Sequence, residues 1–408
     1  MIRTASFIIA LCLAAPAEAE GFKIRLQAGL NGGWSDASSL ATSLGYPARF
    51  SQTGSARLMW DKSFGDLRVE VHSQLNFAHG DDVALATALA PFLPTPVPAT
   101  LFNLTSTLSS TATGSVTNTI DRLSISYTTN NLVLRVGRQA ITWGSGMVFH
   151  PGDIVAPFSP NAVDTSYKAG ADMVYGQYLF DNGADIQVIA VPRAATLGGP
   201  IAFNSSTYAV RARSNFGVLD GSLMYARDRG DNVAAASLSG PLGEASWNAE
   251  YVHWTLASGA VHPSWLFNIS NYGTLGDWNI SYFAEYFHNG FGVGSGVTLA
   301  ALPASLTKRM ATGQVFYAGQ DFLSLGGNIA MTADLSLAPN AIISLMDGST
   351  LAGLTINYTL GDNTNLVFNY VHPFGGDGTE FGGRETTVGS GIFSGPSQSA
   401  LLQIVHYF

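Results

Sequence analysis

Seven arginines stand out by spacing rather than by number: Arg25, Arg57, Arg68, Arg122, Arg135, Arg211 and Arg213 each fall on the polar side of a segment in which polar and apolar residues alternate. A guanidinium keeps its charge at any ordinary pH and presents a rigid fork of donors, so such a set binds and orients anions or biases the passage of ions. Covalent chemistry finds less support. His72, His79, His150, His253, His262, His288, His372 and His406 form no pairing motif with a nucleophile, which a hydrolase would require. Glu70 and His72 share one face of a strand, an ordinary arrangement for polar lining. No His/Cys cluster is present, and Asp36, Asp81 and Asp82 are too scattered for a calcium loop. The composition therefore implies no metal and no cofactor.

The arginines are placed by strands. Ile24, Leu26, Ala28 and Leu30 share one face against Lys23, Arg25 and Gln27. Leu67, Val69 and Val71 oppose Arg68, Glu70 and His72, and Leu123, Ile125 and Tyr127 oppose Arg122, Ser124 and Ser126. Period-two alternation marks a strand with two unlike environments. The pattern predicts about 18 strands, from 22–30 to 398–408, with 16 as the alternative count because the rhythm blurs around 228–262. Long links at 31–53, 78–118, 140–170 and 193–205 alternate with tight turns such as Ser63-Phe64-Gly65-Asp66 and Thr129-Asn130. Short turns on one rim and long loops on the other are the habit of a transmembrane antiparallel up-and-down β-barrel, an all-β fold. Charged residues make up only 12% of the chain, while 46% is apolar without the runs of about 20 that membrane helices need. A charge facing lipid at mid-depth costs about 2–4 kcal/mol, which assigns the arginines to the lumen. Tyr127, Tyr178, Tyr225, Tyr251, Tyr286, Tyr358 and Tyr370 lie near strand ends on the apolar face, where they would form an aromatic girdle.

Residues 1–19 read as a signal peptide: Arg3, an apolar core from Phe7 to Ala15, then Ala17-Glu18-Ala19 as the cleavage site. Leu11 before Cys12 is a poor fit to lipid modification, and cleavage would remove this only cysteine. Residues 20–408 then form a single outer-membrane β-barrel domain. The net charge of −9, with no basic run, gives no support for a nucleic-acid partner.

The last residues, Leu401-Leu402-Gln403-Ile404-Val405-His406-Tyr407-Phe408, resemble the closing strand of Gram-negative outer-membrane β-barrel proteins of the porin type, although His406 departs from the usual apolar pattern. The resemblance implies residence in outer-membrane lipid, recognition by the barrel-assembly machinery through Phe408, and a third loop folded into the lumen. That loop corresponds here to the stretch opened by Gly137-Arg138-Gln139-Ala140-Ile141-Thr142-Trp143-Gly144-Ser145-Gly146. Asp153 and Asp164 would then supply negative charge at a constriction facing Arg57, Arg68, Arg122, Arg135, Arg211 and Arg213. Porins with such loops are often homotrimers. The plainer account is a solvated surface loop, with arginines that only brace the wall.

A barrel of this width encloses an aqueous channel, so the expected function is passive diffusion of small hydrophilic solutes or ions. The alternatives are an export channel or a hydrophobic-ligand transporter; a hydrolase is much less supported. Trp254, Phe283 and Phe287 are the inward aromatics, too isolated to form a sugar-binding ladder. Asp81-Asp82 could cap a helix over 83–90, beyond which four prolines would hold 91–98 in a loop at the mouth.

Overall fold

In the computed structural model, which describes residues 21–90, 100–196 and 198–408, the chain folds as a closed barrel of 18 antiparallel strands. The leader, 1–19, and the proline-rich stretch at 91–98 lie outside the described residues. The first half of the wall is β1 (Phe22–Trp34), β2 (Ala48–Phe64), β3 (Leu67–Gly80), then, after the short β4 (Thr105–Ser110), β5 (Gly114–Thr128), β6 (Leu132–Gln139), β7 (Ala171–Leu179), β8 (Asp185–Val191), β9 (Thr207–Phe216) and β10 (Leu219–Asp228). The second half is β11 (Asp231–Leu242), β12 (Ala245–Thr255), β13 (Val261–Leu275), β14 (Trp278–His288), β15 (Asp321–Ala330), β16 (Leu335–Ser344), β17 (Thr350–Thr359) and β18 (Thr364–Phe374). After the two-residue pair β19 (Arg384–Glu385) and β20 (Phe393–Ser394), β21 (Gln398–Tyr407) returns beside β1. The ring closes where Phe408 N–H donates to the Ile24 carbonyl at 2.9 Å and Ile24 N–H donates back at 3.3 Å. β4 adds to the upper part of β5, beyond the end of β6, and is no part of the ring.

Alternation sets the faces. Along β8, Asp185, Gln187, Ile189 and Val191 are buried while Ile186 and Val188 are exposed. In a closed barrel the covered face is the inner one and the exposed apolar face the outer one. Every second connection is tight: 65–66, 129–131, 217–218, 243–244 and 276–277 all lie on one rim. Gly243 and Gly276 take φ of 63° and 61° there, values that a residue with a Cβ adopts only with strain. The rhythm blurs in the middle because the rim that carries the long loops also carries short links, Arg229-Gly230 between β10 and β11 and 256–260 between β12 and β13.

Several sequence expectations change in detail. The helix after β3 is α2 (Asp81–Leu89), following the four-residue α1 (Leu40–Ser43), and its N-cap is Gly80 rather than an aspartate. The Asp81 carboxylate accepts from Phe50 N–H and that of Asp82 from Arg49, tying the first turn to β2 instead. Of the expected girdle, Tyr127, Tyr178, Tyr225, Tyr251 and Tyr358 are exposed on the outer face. Tyr286 is engaged with Asp321 at 2.7 Å, and Tyr370 accepts from Gln398.

The two faces make opposite predictions for charge. Leu223, in the middle of β10, is 67% exposed on the outer face. Leu223→Arg should lower folding stability in lipid vesicles by about 2–4 kcal/mol, whereas Ser237→Arg on the inner face of β11 should cost much less. Equal losses in urea unfolding would contradict the assignment of faces.

Candidate functional site

Strand register gathers the cations on the inner face of one half of the barrel. Arg25 lies opposite Arg57, Arg57 opposite Gln74, and His72 opposite Arg122. Ser126 lies between Arg68 and Arg135, Arg135 lies opposite Tyr175, and Gln187 lies opposite Arg211. All strand-borne lysines and arginines of the ring belong to β1–β10; β11–β18 and β21 carry none. The inner arginines differ in how far their charge is met. Arg57 is paired with Asp121 and Gln74, and its guanidinium lies 4.2 Å from the Tyr167 ring centre. Arg122 donates to the carbonyls of Asp121 and Lys168. Arg68 reaches Glu70 at 3.2 Å, and Arg213 reaches Asp185 at 3.2 Å while remaining half exposed. Arg211 donates only to the Ser222 hydroxyl, and Arg135 has no hydrogen-bond or ion-pair partner for its side chain among the described residues.

The segment 140–170 is bound to this face and to the opposite half as well. Glu285, fully buried on β14, accepts three successive backbone N–H groups, from Met147 at 2.6 Å, Val148 at 3.0 Å and Phe149 at 2.8 Å, with Asn268 Nδ2 adding a fourth contact. Glu250 on β12 accepts Ser145 N–H at 3.0 Å, the Ser145 hydroxyl at 2.6 Å and Gly152 N–H at 2.5 Å. The path demands glycine: a Cβ on Gly146 would meet the Phe149 carbonyl, and one on Gly152 would stand 2.7 Å from Glu250. Phe149 stacks on Phe287 at 4.4 Å within a buried aromatic cluster that includes Phe322 and Phe381. At the other end, Asp164 binds Arg25 at 2.6 Å, the Tyr167 hydroxyl donates to Met59, and Trp143 donates to Gln187 at 2.7 Å.

Asp153 and Asp164 are thus both ion-paired. Asp153, buried, is held by Lys168 of the same segment rather than by an arginine of the wall. Burial lowers the Lys168 pKa, opposed by the Asp153 charge. Burial would raise the Asp164 carboxyl, but the Ser166 N–H and Arg25 outweigh it and hold the group below the usual carboxylate range. Burial lowers the His150 pKa, opposed by the Asp153 charge.

A second anchor comes from α3 (Ala304–Ala311). Arg309, 1% exposed, reaches Asp228 at 3.2 Å and Asp231 across the β10–β11 turn, with its guanidinium 3.9 Å over Trp254. Gln314 then links Asp228 to the Ile154 carbonyl at 2.8 Å. Glu250, Glu285, Lys168 and Arg309 were not singled out by the sequence. The glutamates do alternate on the polar side of their strands, a signal equally compatible with simple lining.

A closed ring of this size, apolar outside and polar inside, is the fold of bacterial outer-membrane porins. Three similar solved structures are OccK5 (OpdH) of Pseudomonas aeruginosa (9% identity, 95% of this chain and 98% of that one, TM-score 0.57), OccAB4 of Acinetobacter baumannii (11%, 95% and 97%, 0.53) and OpdK of P. aeruginosa with vanillate (9%, 95% and 98%, 0.51). No family model and no curated protein matches the chain.

Glu285 should position the segment through its charge. Glu285→Ala leaves three N–H groups without their acceptor, of which the buried one of Phe149 alone costs about 1–3 kcal/mol, and should increase open-channel current noise well above that of Glu285→Gln. Equal noise in wild type and Glu285→Ala would contradict the clamp. The Asp164–Arg25 contact has a defined pH dependence. A carboxyl with a lowered folded-state pKa contributes stability that is complete above its ordinary value of about 4 and is lost as pH falls through the lowered one. Conductance should therefore hold from pH 8 to pH 5 and change only in stronger acid; a change centred near neutrality would exclude this contact as the cause.

Proposed function

We propose that the protein is an outer-membrane channel, not an enzyme, through which small hydrophilic solutes diffuse passively, with anions favoured. The observation that carries the reading is the closed ring of 18 strands with a polar, arginine-bearing inner face. Eighteen strands leave room for an aqueous bore, whereas eight fill with side chains. The segment 140–170 is read as the constriction. Its support is the set of anchors on strands far apart around the ring, Arg25 and Gln187 on one side and Glu250 and Glu285 on the other. Arg57, Arg68, Arg122, Arg135, Arg211 and Arg213 line the passage beside it, and Asp153 and Asp164 fix the segment's fold rather than offering free negative charge.

The sign of the selectivity follows from which charges are already met. Glu250 and Glu285 are spent on backbone N–H groups, while Arg135 is unpaired and Arg211 has only a hydroxyl. The positive charge left over attracts a permeant anion and repels a cation. OpdK, solved with vanillate, is a neighbour of the same fold whose ligand is an aromatic carboxylate. Carboxylates of that size suit a bore flanked by guanidinium groups.

Export through a cleaved leader at 1–19, recognition of Phe408 by the assembly machinery and a homotrimer complete the reading. The pairing of Phe408 with Ile24 supports a role for the terminal residue in closing the ring. In a planar bilayer under a potassium chloride gradient, the refolded protein should show a reversal potential of anion-selective sign. Arg135→Ala should move it toward zero without affecting assembly. A cation-selective potential in the wild type, or an unchanged one in Arg135→Ala, would reject this assignment of charge.

A further inference from the structure

On the inner face of β14–β17, one row of the register alternates a larger side chain with a glycine. Phe283 lies opposite Gly326, Gly326 opposite Asn340, and Asn340 opposite Gly353. Both glycines are covered by their neighbours. A Cβ on Gly326 would stand 2.7 Å from the Phe283 ring, and one on Gly353 would collide with the Asn340 carboxamide oxygen. The ring and the amide therefore each lie against bare backbone. Asn340 is exposed, and its side chain has no hydrogen-bond partner among the described residues.

This row borders a cavity of about 420 Å³ between the segment 140–170 and the wall, lined among others by Phe158, Pro160, Phe283, Asn340 and Thr355. A smaller cavity of about 70 Å³ shares Asn340 and Thr355 with it and reaches Asn369. Asn369 Nδ2 donates to the Thr355 hydroxyl at 2.9 Å. That bond leaves the hydroxyl's own proton and the Asn369 carbonyl oxygen for another partner. Among the described residues, no Asp, Glu, Lys or Arg lines either cavity. The charged arginines belong to the other half of the ring, so this side of the lumen is polar without being charged.

An anion entering here would give up water and meet no cation, which is costly. A neutral molecule with hydroxyls around its edge and C–H groups on its face suits the lining. Amides and a hydroxyl replace the water lost by its edge, and the Phe283 ring covers its apolar face. We infer that Phe283, Asn340, Thr355 and Asn369 form a subsite for a small uncharged polyhydroxylated ring, the chemistry of a monosaccharide. A single aromatic beside a row of amides makes one resting place, not the ladder that would guide a sugar chain. Solutes selected by the arginines pass along the opposite side. The inference rests on the reading of the chain as a membrane channel, and the test separates the two.

Vesicles carrying the protein should take up radiolabelled D-glucose at a rate that saturates with concentration. Asn340→Ala, which removes the unpaired amide, and Phe283→Ala, which removes the ring, should each abolish saturation, so that uptake rises in proportion to concentration. The reversal potential of each variant in a potassium chloride gradient, governed by the arginines of the other half, reports that its barrel is assembled. Benzoate, a ring of similar size that carries a charge, should not compete with glucose. Strictly proportional uptake in the wild type, or unchanged saturation in both assembled variants, would overturn the subsite while leaving the channel reading in place. Competition by benzoate would also overturn it, by placing the site on the anion path. Absence of both ion current and glucose entry in the wild type would count against the channel itself.

Discussion

Lipid offers no hydrogen bonds, so a strand that crosses it must find every backbone partner within the sheet, and the sheet must close. That constraint organises the molecule. Closing a sheet whose neighbouring strands are all antiparallel takes an even number of strands, and closure brings Ile24 and Phe408 together on the short-turn rim and imposes the period-two pattern that sends leucine, valine and tyrosine outward and arginine inward.

Closure leaves the interior to be organised by other means. The loops bound to the inner face are held by buried apolar clusters, such as Phe149 against Phe287 and Phe322, and by polar contacts with buried partners. Glu285 and Glu250 do this through charge-assisted bonds to backbone N–H groups, about twice as strong as neutral ones. Arg309 does the same for the 289–320 connection by joining Asp228, Asp231 and Trp254. These anchors engage the two glutamate carboxylates, whereas among the inner arginines Arg135 has no side-chain partner among the described residues and Arg211 only the Ser222 hydroxyl.

Much of this was legible in the sequence, for an identifiable reason. Strands repeat every two residues and tight turns need glycine, so Leu223 and Tyr225 against Ser222 and Met224, or Gly243 at its turn, announce themselves locally. The 18-strand count and the alternation of rims followed from such local signals. The site was harder. Arginines could be assigned to the inner face by parity, but which of them keep an unmet charge depends on neighbours from other strands and from the 140–170 segment. Glu250 meets Ser145 across 105 positions of chain and Glu285 meets Met147 across 138, contacts that no local pattern encodes.

The central claim is a polar bore narrowed by a segment that Glu250 and Glu285 hold in place. Swelling of protein-containing vesicles in a series of sugars of increasing size tests it most directly, comparing wild type with the Glu250→Ala, Glu285→Ala double variant. The account predicts a sharp size limit in the wild type and a larger one in the variant, at equal amounts of folded barrel. Identical limits for the two proteins would contradict it.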